Sequence, residues 1–198
     1  MALLAGRTAL VVDTETTGMS PASGDRLVEV ARVTVADGAI GETWSSLMRP
    51  GRLIPPEATR VHGITDAMVS QAPACGPVGS TLREACADLT LVFHNSPFDL
   101  PFLVHLFREA GVPPIYNPIV DTLGLARGLF QPGGNSLGAL AIKLGLPSEA
   151  AHRALGDAMT TARVFLALVE RWEREKGVRS LPELAAASQD IMRVTARR

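Results

Sequence analysis

The chain has 198 residues, 46% of them hydrophobic, a formal net charge of −1 and two cysteines, Cys75 and Cys86. That length and composition support one domain with a sizeable core, while the charge balance gives no sign of a non-specific nucleic-acid coat or a membrane-surface binder, without excluding a grip on the end of a strand, and two thiols build neither a disulfide framework nor a metal finger. No apolar run reaches membrane-spanning length, and the opening MALLAGRTALVVD has no basic leader or cleavage pattern, so a cytoplasmic protein with no membrane partner is expected.

In chain order, residues 7–14 read as a first strand, because Thr8 to Val12 are all apolar or β-branched. Arg26–Ala36 alternates as a second strand and Ile40–Met48 reads as a third, with turns at Asp37-Gly38 and Arg49-Pro50-Gly51. Such short turns favour an antiparallel meander. Pro55-Pro56 and the following VHGIT read as a loop, and Thr65-Asp66 caps a short helix to about Ser70. QAPACGPVG reads as a connector, residues 80–88 as a helix, and Thr90–Phe93 as a central strand, apolar nearly throughout. Pro97 suits the first turn of a helix capped by Asn95 or Ser96, with Phe98, Phe102, Leu106 and Ala110 on one stripe and Gly111 as the stop. Ile119-Val120 is a fifth strand, and Asp121-Thr122 caps a helix to about Leu129. A loop through residues 131–136 leads to a helix over Leu137–Leu144. A long helix then runs from near Arg153 to about Lys176 with Ala158, Ala162, Phe165, Val169 and Trp172 inward. A short helix over Leu181–Ser188 and a basic tail from Arg193 to Arg198 follow. The order predicts an α/β fold with a mixed five-stranded sheet flanked by helices. Residues 1–176 form its main domain, and 177–198 pack on it or trail from it.

Carboxylates stand out against this frame. Asp13 and Glu15 are two apart on the first strand, so both project from one face, roughly 7 Å apart along it. Like charges so placed repel, and a hard divalent cation between them relieves the repulsion. Asp99 falls in the first turn after the central strand, and Asp157 opens the long helix, five residues after His152. Each also has an ordinary reading as an acid at a helix N-terminus, and His152 reads alone as a surface or capping residue. Asp121 reads as a helix cap. Glu29 either faces solvent or supports the site from the second strand, Glu149 can orient His152, and His94 can support Asp99.

Three segments occur in order: D-x-E at Asp13–Glu15, H-N-S-P-F-D at His94–Asp99, and H-x-x-x-x-D at His152–Asp157. With LVEVARV, VHGIT, DTLGLAR and SLGALA around them, they resemble the DEDDh 3′→5′ exonuclease family, in the branch of the proofreading epsilon subunit of bacterial DNA polymerase III. The resemblance spans Arg7 to about Leu168. It implies a ribonuclease-H-like fold, with residues 1–176 as the exonuclease domain. It implies release of nucleoside 5′-monophosphates from a DNA 3′ end, single-stranded by preference. Asp13, Glu15, Asp99 and Asp157 match the four metal-binding acids and His152 the general base. Two divalent cations, Mg²⁺ or Mn²⁺, are the implied cofactors, and two such ions about 4 Å apart supply nucleophile, charge relief and leaving-group stabilisation for in-line displacement. Asp13, fixed by the buried strand, would bridge them. A neutral His152 can accept the proton of the attacking water. Thr16, Thr17, His62 and Asn95 are the expected substrate contacts. A DNA polymerase is the implied protein partner. The subunit resembled carries a longer C-terminal segment, so a proofreading subunit and a stand-alone nuclease both remain open. RNA 3′-end trimming and a silent binding module are the competing readings, but the module would lack an acid or the histidine, and this chain has all five.

Overall fold

The computed structural model describes residues 2–130, 133–147, 149 and 152–196. The sheet grows outward from β1 (Thr8–Thr16). β2 (Leu27–Ala36) pairs antiparallel with β1, and β3 (Ala39–Leu47) antiparallel with β2. On the other side, β4 (Thr90–Phe93) and β5 (Ile119–Asp121) continue the sheet in parallel, giving the order β3-β2-β1-β4-β5. This is the mixed five-stranded sheet expected from the sequence. Helices α1 (Pro56–His62), α2 (Asp66–Val69) and α3 (Cys75–Cys86) lie between β3 and β4. The rest are α4 (Ser96–Ala110), α5 (Thr122–Leu129), α6 (Leu137–Lys143), α7 (Ala154–Lys176) and α8 (Leu181–Ala196). Among the described residues, no helix is long and apolar enough to cross a membrane.

Strand alternation sorts β1 onto two cores. Ala9 and Val11 face a cluster with Phe165, Leu168 and Trp172 of α7. Leu10 and Val12 face the opposite cluster with Leu82 of α3 and Phe102, Leu106 and Phe107 of α4. Burying each such side chain contributes roughly 1.5–3 kcal/mol, so the strand is held from both sides. The same alternation then sends Asp13 and Glu15 toward α7 and Thr14 toward α4. Sheet register also shifts between Glu15 and Thr16, an irregularity that breaks pairing where the acids emerge.

Three elements differ from the sequence reading. Residues 56–62, expected as loop, are α1: Pro56 takes a first-turn position and Gly63 stops the helix at φ 73°. The connector QAPACGPVG instead runs into α3 at Cys75. Gly79 is required there because a Cβ would meet Ala110 Cβ at 2.9 Å, where α3 crosses α4. The last helix continues past Ser188 to Ala196, because its later turns also pack closely on α5: a Cβ at Gly124 would meet Met192 Cγ at 3.0 Å, and one at Gly128 would meet Ile191 Cδ1 at 2.8 Å. Residues 197–198 of the basic tail lie outside the described residues.

Candidate active site

Asp13, Glu15 and Asp157 place carboxylate oxygens within 4.8 Å of one another. β1 supplies the first two, and the first turn of α7 supplies the third. Asp99 approaches from the opposite side, in the first turn of α4. It is buried, and Thr14 Oγ1 donates a 2.7 Å hydrogen bond to its Oδ1. One strand end therefore presents two acids directly and anchors another through the residue between them.

No side chain or backbone amide among the described residues donates to Asp13 or Glu15. Burial pushes Asp13 well above the usual carboxylate range, and the charges of Asp99, Asp157, Glu15 and Glu29 push it further. Burial raises Glu15 to about 8, with Asp157, Glu29 and Asp99 adding to the shift and Arg153 opposing it. Asp99 is raised by burial against the pull of the Thr14 hydroxyl and backbone N–H groups. Asp157 is raised by burial, with the His152 amide opposing. Carboxylates crowded together, with Asp13 and Glu15 receiving no donor among the described residues, have the chemistry of a divalent-cation site. All-oxygen ligands suit a hard ion. The residues present therefore fit the metal ions that the DEDDh pattern implies.

Two features fix this arrangement. Glu29, buried and directly opposite Glu15 across the sheet, accepts from Arg153 Nη2 at 2.7 Å and Nε at 3.0 Å. It also accepts from the Ala154 amide at 3.0 Å, which caps the start of α7. Glu29 thus ties β2 to the helix that carries Asp157. His152 lies on the lead-in to α7 with φ 62°, and its amide donates to Asp157 Oδ2 at 2.9 Å. Its side chain is exposed, on the wall of the same cleft as Asp13 and Asp157.

The other sequence candidates fall in different places. Asn95 lies on the cleft wall in the left-handed conformation, φ 72°, ahead of α4. The hydroxyls of Thr16 and Thr17 are engaged within the chain, Thr16 Oγ1 donating to the Gly18 carbonyl and Thr17 Oγ1 accepting from the Arg26 amide at 3.0 Å. His62 is buried. Its Nδ1 accepts from the Ile64 amide at 3.0 Å, so its Nε2–H donates to the Thr16 carbonyl at 3.2 Å. These three side chains shape the turn after β1. His94 does not reach Asp99. It pairs through Nδ1 with Thr122 Oγ1 at 2.9 Å, and burial lowers it to about 4. Glu149 pairs with Arg163 at 2.7 Å rather than with His152. Asp121 caps α5 and also accepts from the Asn95 and Ser96 amides and the Ser96 hydroxyl. The supporting part of Glu29 was one of two sequence readings. The role of Asp121 in fixing the start of α4 was missed, since no local signal couples positions 95 and 121.

The exonuclease family profile matches residues 10–165. The chain belongs to that family, and its DEDDh motifs and ribonuclease-H-like sheet are those of a 3′→5′ exonuclease domain. A DNA polymerase III subunit epsilon-like protein of Rhodobacter capsulatus is 44% identical over 82% of this chain. The chain spans only 24% of that relative's length. The DNA polymerase III subunit epsilon of Rickettsia typhi is 32% identical, covering 80% of this chain and 72% of its own. Exonuclease X, solved in complex with 5′ overhanging duplex DNA, superposes with a TM-score of 0.72 at 28% identity, over 91% of this chain and 99% of its own.

Proposed function

We propose that this chain hydrolyses the terminal phosphodiester of DNA from the 3′ end, releasing nucleoside 5′-monophosphates from a single-stranded terminus. The observation that carries the reading is the convergence of Asp13, Glu15 and Asp157 within 4.8 Å, with Asp99 anchored beside them. In this reading Asp13, Glu15 and Asp157 hold one divalent ion. Asp99, with Asp13, would help to hold a second, with Mg²⁺ or Mn²⁺ as the cofactor. Such ions supply charge relief on the scissile phosphate and a reactive oxygen nucleophile at neutral pH. His152 is the general base: its exposed imidazole takes the proton of the attacking water, while its amide keeps the Asp157 carboxylate in place. Thr16, Thr17 and His62 act on the terminal nucleotide through the shape they give the turn after β1, and Asn95 lines the cleft opposite. Residues 1–176 carry the activity and 177–198 complete the fold around it. The epsilon relatives support a proofreading or stand-alone DNA nuclease, with a DNA polymerase as protein partner in the former case, and the cytoplasm is the location that goes with this proposal.

Oligonucleotides labelled at either end, incubated with Mg²⁺, Mn²⁺ or chelator, test this directly. Metal-dependent shortening from the 3′ end with release of monophosphates is the expected result. No shortening, or shortening from the 5′ end, overturns the reading. Parallel single-stranded, mispaired and RNA substrates rank the preferences.

A further inference from the structure

The cleft beside the acids measures about 800 Å³. The acids assembled around it are negative when ionised, yet the proposed substrate is a polyanion. The proposed divalent ions answer the charge at the bond that is cut, so charge complement for the rest of the strand has to come from cationic side chains. Most nearby cations are already neutralised or committed. Arg153 is held by both oxygens of Glu29, and Arg163 pairs with Glu149. Lys143, which also has only neutral partners among the described residues, donates to Asn135 Oδ1 at 3.1 Å, lies 4.7 Å from the centre of the Phe130 ring and does not line the cleft.

Arg127 is different. It projects from α5 into the wall of the cleft, and its charge bears on His94 there. Among the described residues it has no carboxylate partner. Its Nη1 donates instead to neutral groups on the last turns of α8: Thr195 Oγ1 at 2.7 Å and Met192 Sδ at 3.4 Å. The Thr195 hydroxyl commits its own proton to the carbonyls of Ile191 and Met192, so its lone pair faces the guanidinium. The helix C-terminus adds a favourable partial charge. The guanidinium is thus held by one nitrogen without a carboxylate among the described residues, and the residue is exposed. That is the form of a bidentate phosphate binder waiting for its anion.

We propose that Arg127 binds an internal phosphate of the nucleic-acid strand, upstream of the bond that is cut, and that Thr195 of α8 positions it. This deepens the nuclease reading and rests on it. Arg127 is a binding residue and Thr195 a positioning residue. The C-terminal helix therefore serves the cleft as well as the core.

The test uses the full chain. A 5′-fluorescent single-stranded oligonucleotide is titrated in Ca²⁺ over a range of salt concentrations, and turnover is measured separately in Mn²⁺. For a single strand, each phosphate that the protein neutralises steepens the slope of log affinity against log salt by about 0.7. Arg127→Ala is expected to neutralise one phosphate fewer, and to raise KM for the oligonucleotide on the order of tenfold with kcat little changed. The p-nitrophenyl ester of thymidine 5′-monophosphate has no internal phosphate, so its hydrolysis should be unaffected. Thr195→Val is expected to weaken oligonucleotide binding, Thr195→Ser to restore it, and the Arg127→Ala/Thr195→Val double variant to bind as well as Arg127→Ala alone. An unchanged salt slope in Arg127→Ala, an equal drop on the small ester, or no oligonucleotide binding by the wild type overturns the assignment. Additive effects in the double variant overturn the positioning role. If the wild type shows the salt signature yet cuts nothing, the nuclease reading falls while Arg127 stands. If it cuts and the slope is unchanged, the reverse holds.

Discussion

The C-terminal halves of β1 and β5 each carry a buried or half-buried aspartate, and the two are treated in opposite ways. Asp121, fully buried, receives the amides of Asn95, Ser96, Leu123 and Gly124 and the Ser96 hydroxyl. It knots two helix starts together. Asp13, two strands away in the sheet, receives no donor among the described residues and is surrounded by like charge. A carboxylate satisfied by its own chain is structural, whereas one denied donors and crowded by acids is reserved for something from outside. Residue type is the same, and both lie toward the C-terminal side of their strands, Asp121 as the last residue of β5 and Asp13 three residues before the end of β1. The difference lies in what the neighbouring helix presents: free amides at α4 and α5, another carboxylate at α7.

The contrast is broken most severely by removing the charge at Asp13. Asp13→Asn should abolish nuclease activity, yet raise the melting temperature of the metal-free protein, because it relieves repulsion. An unchanged or lower melting point in chelator would mean that the acids are not crowded. Next in size is His152→Ala, which should slow turnover by about 10²–10⁴-fold with metal affinity nearly intact, since only its amide touches Asp157. A large drop in affinity on metal titration would make His152 a ligand instead. Asp121→Ala should do the opposite of Asp13→Asn. It leaves several buried amides without acceptors and should destabilise by about 3 kcal/mol, measured by denaturant unfolding, with metal affinity per folded molecule retained. If Asp121→Ala also weakened metal binding, the division between the two strand ends would collapse.

How much of this was visible in the sequence depends on the range of the interaction. Apolar runs and alternation placed the strands, and the 3.6 period placed the α4 and α7 stripes, because those signals are local. Asp121 as a cap was equally local, since its own helix supplies the donors two and three residues on. Glycine misled where its purpose was tertiary. Gly79 looked like a connector residue because nothing near it in the sequence announces the approach of Ala110. The extension of α8 came with the packing of Met192 on Gly124 and Ile191 on Gly128, equally invisible locally. Around the acids, D-x-E on one strand face follows from strand geometry alone. The arrival of Asp99 and Asp157 rested on resemblance, and the Glu29–Arg153 clamp spans too great a separation for any sequence pattern to announce.

The smallest expected effect is also the most specific to the acid cluster: the pH dependence of stability without metal. In the folded protein Glu15 holds its proton to about pH 8, against an ordinary value of 4.5. Asp13 and Asp157 are raised in the same direction. A raised carboxylate value means that the folded state binds more protons than the unfolded one between the two values, so stability falls as pH rises through that window. Buried histidines act in the opposite sense at its lower end. His94 is lowered from 6.5 to about 4, so it adds stability as pH rises toward 6.5 and nothing beyond. Between about pH 6.5 and 8, therefore, the acids act without that compensation. In chelator the melting temperature should decline by several degrees across this interval, and the decline should flatten in Asp13→Asn. Added Mg²⁺ or Mn²⁺ should stabilise more as pH rises, because a cation binds only the ionised carboxylates. A chelated protein with a level melting temperature over that interval would show that its carboxylates ionise independently, and Asp13 would then be no different in kind from Asp121.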